Sequence, residues 1–113
     1  MHRKLAGLVL AALAAACSSG EENDPPAQLA KRGEQVYLSN CTACHAHDPG
    51  QPGPLGPAVA GASLELLEAK VLRNTYPPGY TPKRDSQAMI PLVHLAPELP
   101  ALAAYLSEPG AQR

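Results

Sequence analysis

The sequence predicts an all-α domain of three short helices joined by long loops. Apolar residues recur at helical spacing in residues 27–40, 63–75 and 100–110, and no stretch shows the alternation of a strand. The segments between these helices, residues 47–61 and 76–91, are rich in proline and glycine. Loops of this length in a small domain usually carry function or wrap a ligand.

Each predicted helix carries one apolar face, as expected for a helix that packs on a core. The faces consist of Leu29, Gly33, Val36 and Tyr37 in the first helix, Leu64, Leu67 and Val71 in the second, and Leu102, Tyr105 and Leu106 in the third. Ser63 can cap the second helix through its hydroxyl. Either Pro97 or Pro100 can occupy the first turn of the third helix, where a missing amide proton is tolerated.

The composition is poor in the residues that fill a protein core. The chain has no Phe, no Trp and only four Tyr, but 13 Pro and 9 Gly. Aromatic side chains normally supply much of the buried apolar area. Small domains are marginally stable without a further stabilising element, such as a disulfide or a bound metal. A bound cofactor could therefore fill this interior.

The N-terminal segment predicts export. Residues 1–16 begin with basic residues and continue as an apolar run, the pattern of a signal peptide. Cys17 ends the stretch "LAAAC", which resembles a bacterial lipobox and implies a lipidated mature N-terminus; otherwise an ordinary signal peptide is cleaved and the thiol stays free. Residues 17–26 are a polar tether, residues 27–108 the domain, and residues 109–113 a C-terminal tail.

Charge and motif content exclude several function classes. The formal net charge is −1 at pH 7, which gives no electrostatic basis for binding nucleic acid or an anionic membrane surface. The sequence shows no phosphate-binding loop, no proton-transfer dyad and no nucleophile beside a base. We therefore expect no enzymatic chemistry from this chain alone.

The segment "CTACHAH", residues 41–47, concentrates the reactive side chains of the chain. Cys-x-x-Cys-His is the pattern of covalent haem attachment. Two thiols at this spacing, Cys41 and Cys44, can add to the two vinyl groups at one haem edge. His45 then lies beneath the ring and offers its imidazole to the iron. The motif therefore predicts one covalently bound haem c.

Three other interpretations of this cluster stay open. A zinc site would use Cys41, Cys44 and His45 with His47 as a fourth ligand. A thioredoxin-like dithiol would need a preceding strand. The two cysteines could also form a merely structural pair. Haem attachment fits best, because the chain is exported and its core is underfilled.

The sequence resembles the class I monohaem cytochromes c over nearly all of residues 27–108. Gly33 and Tyr37 lie four residues apart in the helix before the attachment motif, and "ALAAYL" at residues 101–106 matches the usual C-terminal helix. The resemblance implies a small cytochrome c fold, in which three or more short helices and long loops wrap one haem. The missing side chain of Gly33 lets the C-terminal helix approach with Tyr105.

The resemblance also covers a loop after the attachment motif. Residues 56–61, "GPAVAG", match the family's GPxLxG loop. This match implies that the carbonyl of Pro57 accepts a hydrogen bond from His45, which fixes the tautomer of the ring and makes it a more basic ligand. Pro54 is the alternative acceptor, although its surroundings lack the closing glycine.

The sixth iron ligand implied by the resemblance is Met89. It lies in a loop ahead of the last helix, with Ile90 inserted before the proline of the family's Met–Pro pair. His94 is the alternative and would give a bis-histidine site. Sulfur from a thioether raises the reduction potential relative to imidazole, so the two assignments differ in function.

Residues of the second loop are candidates for contacts to the haem propionates. Arg84 is the first of these, and Tyr76 and Tyr80 are further candidates, because the family uses tyrosine, tryptophan or arginine side chains from this region. Lys83 and Arg84 are alternatively candidates for docking a redox partner.

The expected function is one-electron transfer through a haem with His/Met ligation. We expect the protein on the periplasmic side of a bacterial membrane, anchored by lipid on Cys17, or soluble in the periplasm if that cysteine is not lipidated. Its partners would be redox proteins of the envelope respiratory chain, with the chain as a monomer or a subunit. The alternatives are a cytochrome subunit of an exported dehydrogenase or sulfur-oxidising complex, and a haem-based sensor with a labile sixth position.

Overall fold

The computed structural model describes residues 25–109, which contain helices and loops but no strand. The elements are α1 (Pro26–Asn40), α2 (Leu64–Arg73), a 3₁₀ helix (Val93–Glu98) and α3 (Leu99–Leu106). The predicted all-α class is therefore confirmed for the described part of the chain. The predicted signal peptide, the lipidation site Cys17 and most of the tether lie outside it.

The helix ends follow from local sequence. The Ser63 hydroxyl accepts a hydrogen bond from the Leu66 amide at 3.1 Å and caps α2 as predicted. Pro100 lies in the first turn of α3, whereas Pro97 lies in the preceding 3₁₀ helix. α3 ends at Leu106, earlier than the predicted residue 110. Helical geometry is disfavoured at the residue before a proline, and Glu108 precedes Pro109. The helix therefore ends ahead of this pair.

α1 and α3 cross in close contact at Gly33. A Cβ atom at this position would overlap the Ala101 carbonyl oxygen and would lie 2.8 Å from the Cβ of Tyr105. One turn further along α1, the Tyr37 ring packs on that of Tyr105 with centroids 5.7 Å apart. The glycine-dependent crossing expected from the sequence is present, with the backbone of Ala101 as the nearest neighbour.

A small apolar core joins the helices. It consists of Tyr37, Leu67, Val71, Leu95, Leu99, Leu102 and Leu106. Leu64, the first residue of α2, is 39 % exposed, so the predicted apolar face of that helix is limited to Leu67 and Val71. Arg32 adds a bidentate ion pair to Glu98 at 2.8 and 2.6 Å, which ties α1 to the 3₁₀ helix.

Backbone hydrogen bonds fasten the long loops to the helices. The Gly61 amide donates to the Leu106 carbonyl at 2.8 Å, and the Leu92 amide donates to the Val71 carbonyl at 2.7 Å. The loops are thus held around the core. Among residues 25–109, no helix is long and apolar enough to cross a membrane.

Candidate functional site

A largely apolar cavity of about 390 Å³ lies between the three α-helices and the two long loops. This volume is in the range of small-molecule and cofactor sites. Every site residue predicted within the described part of the chain contributes to its lining: Cys41, Cys44, His45, Pro57, Arg84 and Met89. The fold therefore brings together side chains from three separate segments of the sequence.

The attachment segment forms a tight turn directly after α1. The Cys41 amide continues the helical pattern by donating to the Tyr37 carbonyl at 2.9 Å, and the His45 amide donates to the Cys41 carbonyl at 2.9 Å. The Tyr37 hydroxyl donates to the carbonyl of Ala46 at 2.5 Å and so fixes the far end of this turn. Cys41, Cys44 and His45 consequently share one wall of the cavity.

The state of the thiols distinguishes between the interpretations of the cluster. Cys41 and Cys44 form no disulfide in the structure. Burial, with a smaller contribution from Cys44, raises the pKa of the Cys41 thiol to about 11. Redox-active dithiols show the opposite, a lowered pKa that generates a nucleophilic thiolate. This environment, together with the absence of strands in residues 25–109, counts against a thioredoxin-like site.

The geometry also counts against a zinc site. Within the described residues, no group of three or more His, Cys, Asp or Glu side chains could hold a metal ion. His47, the fourth ligand that such a site would need, is exposed and does not line the cavity.

The His45 ring is held by the loop that follows it. Its Nδ1 atom lies 2.9 Å from the Pro57 carbonyl oxygen. Because a carbonyl only accepts, Nδ1 carries the proton in this contact and Nε2 is left as the basic nitrogen that can bind a metal. The contact is made by Pro57 and not by the alternative Pro54.

Gly56 makes room for the ring. A Cβ atom at this residue would lie 2.9 Å from Nε2 of His45 and closer still to two other ring atoms. The Gly56 amide donates to the Cys44 carbonyl at 2.8 Å, and the Gly53 amide donates to the Gly56 carbonyl at 2.8 Å. These bonds hold the turn against the attachment segment, so a side chain at residue 56 would be forced against the ring.

The two candidates for the sixth ligand differ in their position. Met89 is half-buried, packs against the apolar core and lines the cavity. His94 is exposed and does not contribute to the cavity wall. Met89 and His45 thus line the same cavity, and the assignment of Met89 as the sixth ligand stays a prediction.

A polar cluster borders the cavity. The rings of Tyr76 and Tyr80, both named as candidates from the sequence, are stacked with centroids 5.4 Å apart. The Lys70 ammonium lies 4.5 Å from the centre of the Tyr76 ring and donates to the Asn74 side chain at 2.7 Å. Sequence analysis missed Lys70, although its spacing of four residues from Asn74 at the end of α2 indicates such a contact.

The basic pair of the second loop reaches across to the first loop. Nη2 of Arg84 donates to the Gly53 carbonyl at 3.3 Å, and the ammonium of Lys83 donates to the Ala58 carbonyl at 2.8 Å. Arg84 also lines the cavity, as the predicted propionate contact requires. Both side chains therefore have protein partners on the loop that carries Pro57.

No protein-family model, curated protein or solved structure matches the chain. The function is therefore argued from the attachment motif and from the geometry of the cavity.

Proposed function

We propose that the protein is a class I monohaem cytochrome c that transfers single electrons through one covalently bound haem. The observation that supports this most strongly is the setting of His45. Its Nδ1 atom contacts the Pro57 carbonyl at 2.9 Å, and its ring lines a cavity shared with Cys41, Cys44 and Met89.

The residues present fit a haem group. The cavity is apolar and is lined by all three helices, in a chain whose described core contains a single fully buried aromatic side chain, Tyr37. Neutral imidazole and thioether donors are the ligand pair of c-type haems with raised potential. The paired thiols of Cys41 and Cys44 supply the covalent attachment that the motif predicts.

Each residue has a defined task in this proposal. Haem supplies the one-electron change of iron between its ferrous and ferric states. Cys41 and Cys44 would hold the cofactor through thioether bonds, while Nε2 of His45 and the sulfur of Met89 would bind the metal. The Pro57 carbonyl strengthens His45 as a donor. The apolar walls exclude water and disfavour the extra positive charge of the ferric state, which also raises the potential.

The proposal includes the cellular location of the protein. Export through residues 1–16 and lipid attachment at Cys17 would place the domain at the periplasmic face of a bacterial membrane. Redox proteins of the envelope respiratory chain would then donate and accept the electron.

The direct test is the mass of the full-length chain after expression with a c-type haem maturation system. We expect denatured protein to carry the added mass of one haem, and the haem to resist acid–acetone extraction. The double variant Cys41→Ser/Cys44→Ser should lose that mass, because no thioether can form. Cys17→Ser is the matched control and should keep the haem while losing only lipid. Extractable haem in the wild type, or covalent haem in the double variant, would refute the proposal.

A further inference from the structure

We propose that Lys83 and Arg84 are positioning residues that clamp the turn presenting the Pro57 carbonyl to His45. We call these two side chains, with the Gly53 and Ala58 carbonyls that they bind, the basic clamp. The effect on iron described below depends on the proposed function, whereas the effect on the turn does not.

The basic clamp binds the turn on both sides of Pro57. The Arg84 guanidinium donates to the Gly53 carbonyl at 3.3 Å, four residues before Pro57, and the Lys83 ammonium donates to the Ala58 carbonyl at 2.8 Å, one residue after it. Two neighbouring cations thus bind the segment on both sides of the residue that contacts His45.

The backbone hydrogen bonds of the turn itself fix it only on the side that faces the attachment segment. The Gly56 amide donates to the Cys44 carbonyl at 2.8 Å and the Gly53 amide closes the turn through the Gly56 carbonyl at 2.8 Å. Among the described residues, no backbone amide donates to the Gly53 or Ala58 carbonyl, and the two cations supply hydrogen bonds to them. Hydrogen bonds from a charged donor are stronger than neutral ones, and Arg84 is half-buried, which reduces screening by water.

The basic clamp also connects the two loops that carry the candidate iron ligands and their supports. Lys83 and Arg84 lie in the same loop as Met89, whereas their acceptors flank Pro57. Loss of both cations should therefore let the Pro57 carbonyl move away from Nδ1 of His45. A less strongly bonded imidazole is a weaker donor to iron, and its Nδ1 proton should exchange faster with water.

The test compares two double variants of the haem-loaded protein that remove the same charge. Lys83→Met/Arg84→Met breaks the clamp, and Lys31→Met/Arg73→Met removes two exposed cations from α1 and α2 as the control. Amide hydrogen exchange in residues 53–59 should be at least about tenfold faster in the clamp variant than in the control, the effect expected from losing charged hydrogen bonds. The Nδ1 proton of His45 should also exchange faster with water than in the control. Lys83→Arg keeps a cation and should retain wild-type exchange.

Three results would overturn the proposal. They are equal exchange rates in the two double variants, an acceleration spread evenly over residues 25–109 instead of residues 53–59, and exchange of the His45 Nδ1 proton that is no faster than in the control. Amide exchange can be measured whether or not haem is attached. Absence of covalent haem would therefore contradict the proposed function and leave the exchange comparison to decide on the clamp.

Discussion

The two sides of the cavity that carry the candidate iron ligands, His45 and Met89, are built differently. On one side, the His45 ring contacts the Pro57 carbonyl at 2.9 Å and Gly56 lies directly against it. On the other side, Met89 is half-buried but is followed by Ile90, which is 69 % exposed. Ala88, the residue before Met89, is exposed, and its amide donates to the hydroxyl of Ser86 at 3.2 Å.

This difference indicates how the chain orients the two candidate ligands. Hydrogen bonds and close packing orient His45 before any metal binds, so its Nε2 atom is ready as a donor. The thioether of Met89 is only a weak hydrogen-bond acceptor, so apolar packing alone orients it. We infer that the chain itself determines the histidine geometry, whereas under the proposed function the methionine would depend on its bond to iron.

The substitution with the largest expected effect on the His45 side of the cavity is Gly56→Ala. The added Cβ atom would meet the His45 ring at 2.9 Å or less, so the ring must turn and lose the Pro57 contact. We expect a loss of about 3 kcal/mol in the free energy of unfolding, measured with denaturant on the haem-loaded protein.

Pro57→Ala is the matched control for this variant. It keeps the main-chain carbonyl that His45 binds, so the stability should change by about 1 kcal/mol or less. Equal losses in the two variants would show that the glycine does not make room for the ring.

A smaller effect should follow from Tyr37→Phe, which removes the hydrogen bond to the Ala46 carbonyl beside His45. We expect a loss of about 1 kcal/mol near pH 7. Burial foremost raises the pKa of Tyr37 from 10.0 to about 12, so the folded state keeps the phenol proton where the unfolded chain has lost it. The stabilisation is therefore complete below pH 10 and is lost as the pH rises through 12.

The pH dependence provides a second check on the same residue. Tyr37→Phe should flatten the decline of the unfolding free energy between pH 10 and 12, the interval between the two pKa values. A variant that declines as steeply as the wild type would contradict the role given to this hydroxyl.

The sequence predicted the elements that depend on local chemistry. Ser63 caps α2, and Gly33 marks the helix crossing, because capping and close approach each need particular residue types. The Pro57 partner of His45 was implied by the resemblance of residues 56–61 to a family loop, and the contact is present. These features are encoded within short stretches of chain.

Other features that depend on the packing of distant segments were missed, because no residue type marks them. The 3₁₀ helix at Val93–Glu98 shows no regular spacing of apolar residues from which it could be predicted. Contacts from Lys83 and Arg84 to the other loop join residues far apart in sequence, and their partners are carbonyls that every residue possesses. No side-chain pattern can indicate such a partner.

The identity of the sixth ligand tests the account most directly. In the ferric haem-loaded protein we expect the weak far-red absorption band of methionine-to-iron ligation, and in the ferrous protein no ready binding of carbon monoxide. Met89→Ala should lose the band and bind carbon monoxide, while His94→Ala, which changes an exposed residue outside the cavity, should behave as the wild type. A band that persists in Met89→Ala, or disappears in His94→Ala, would contradict the account.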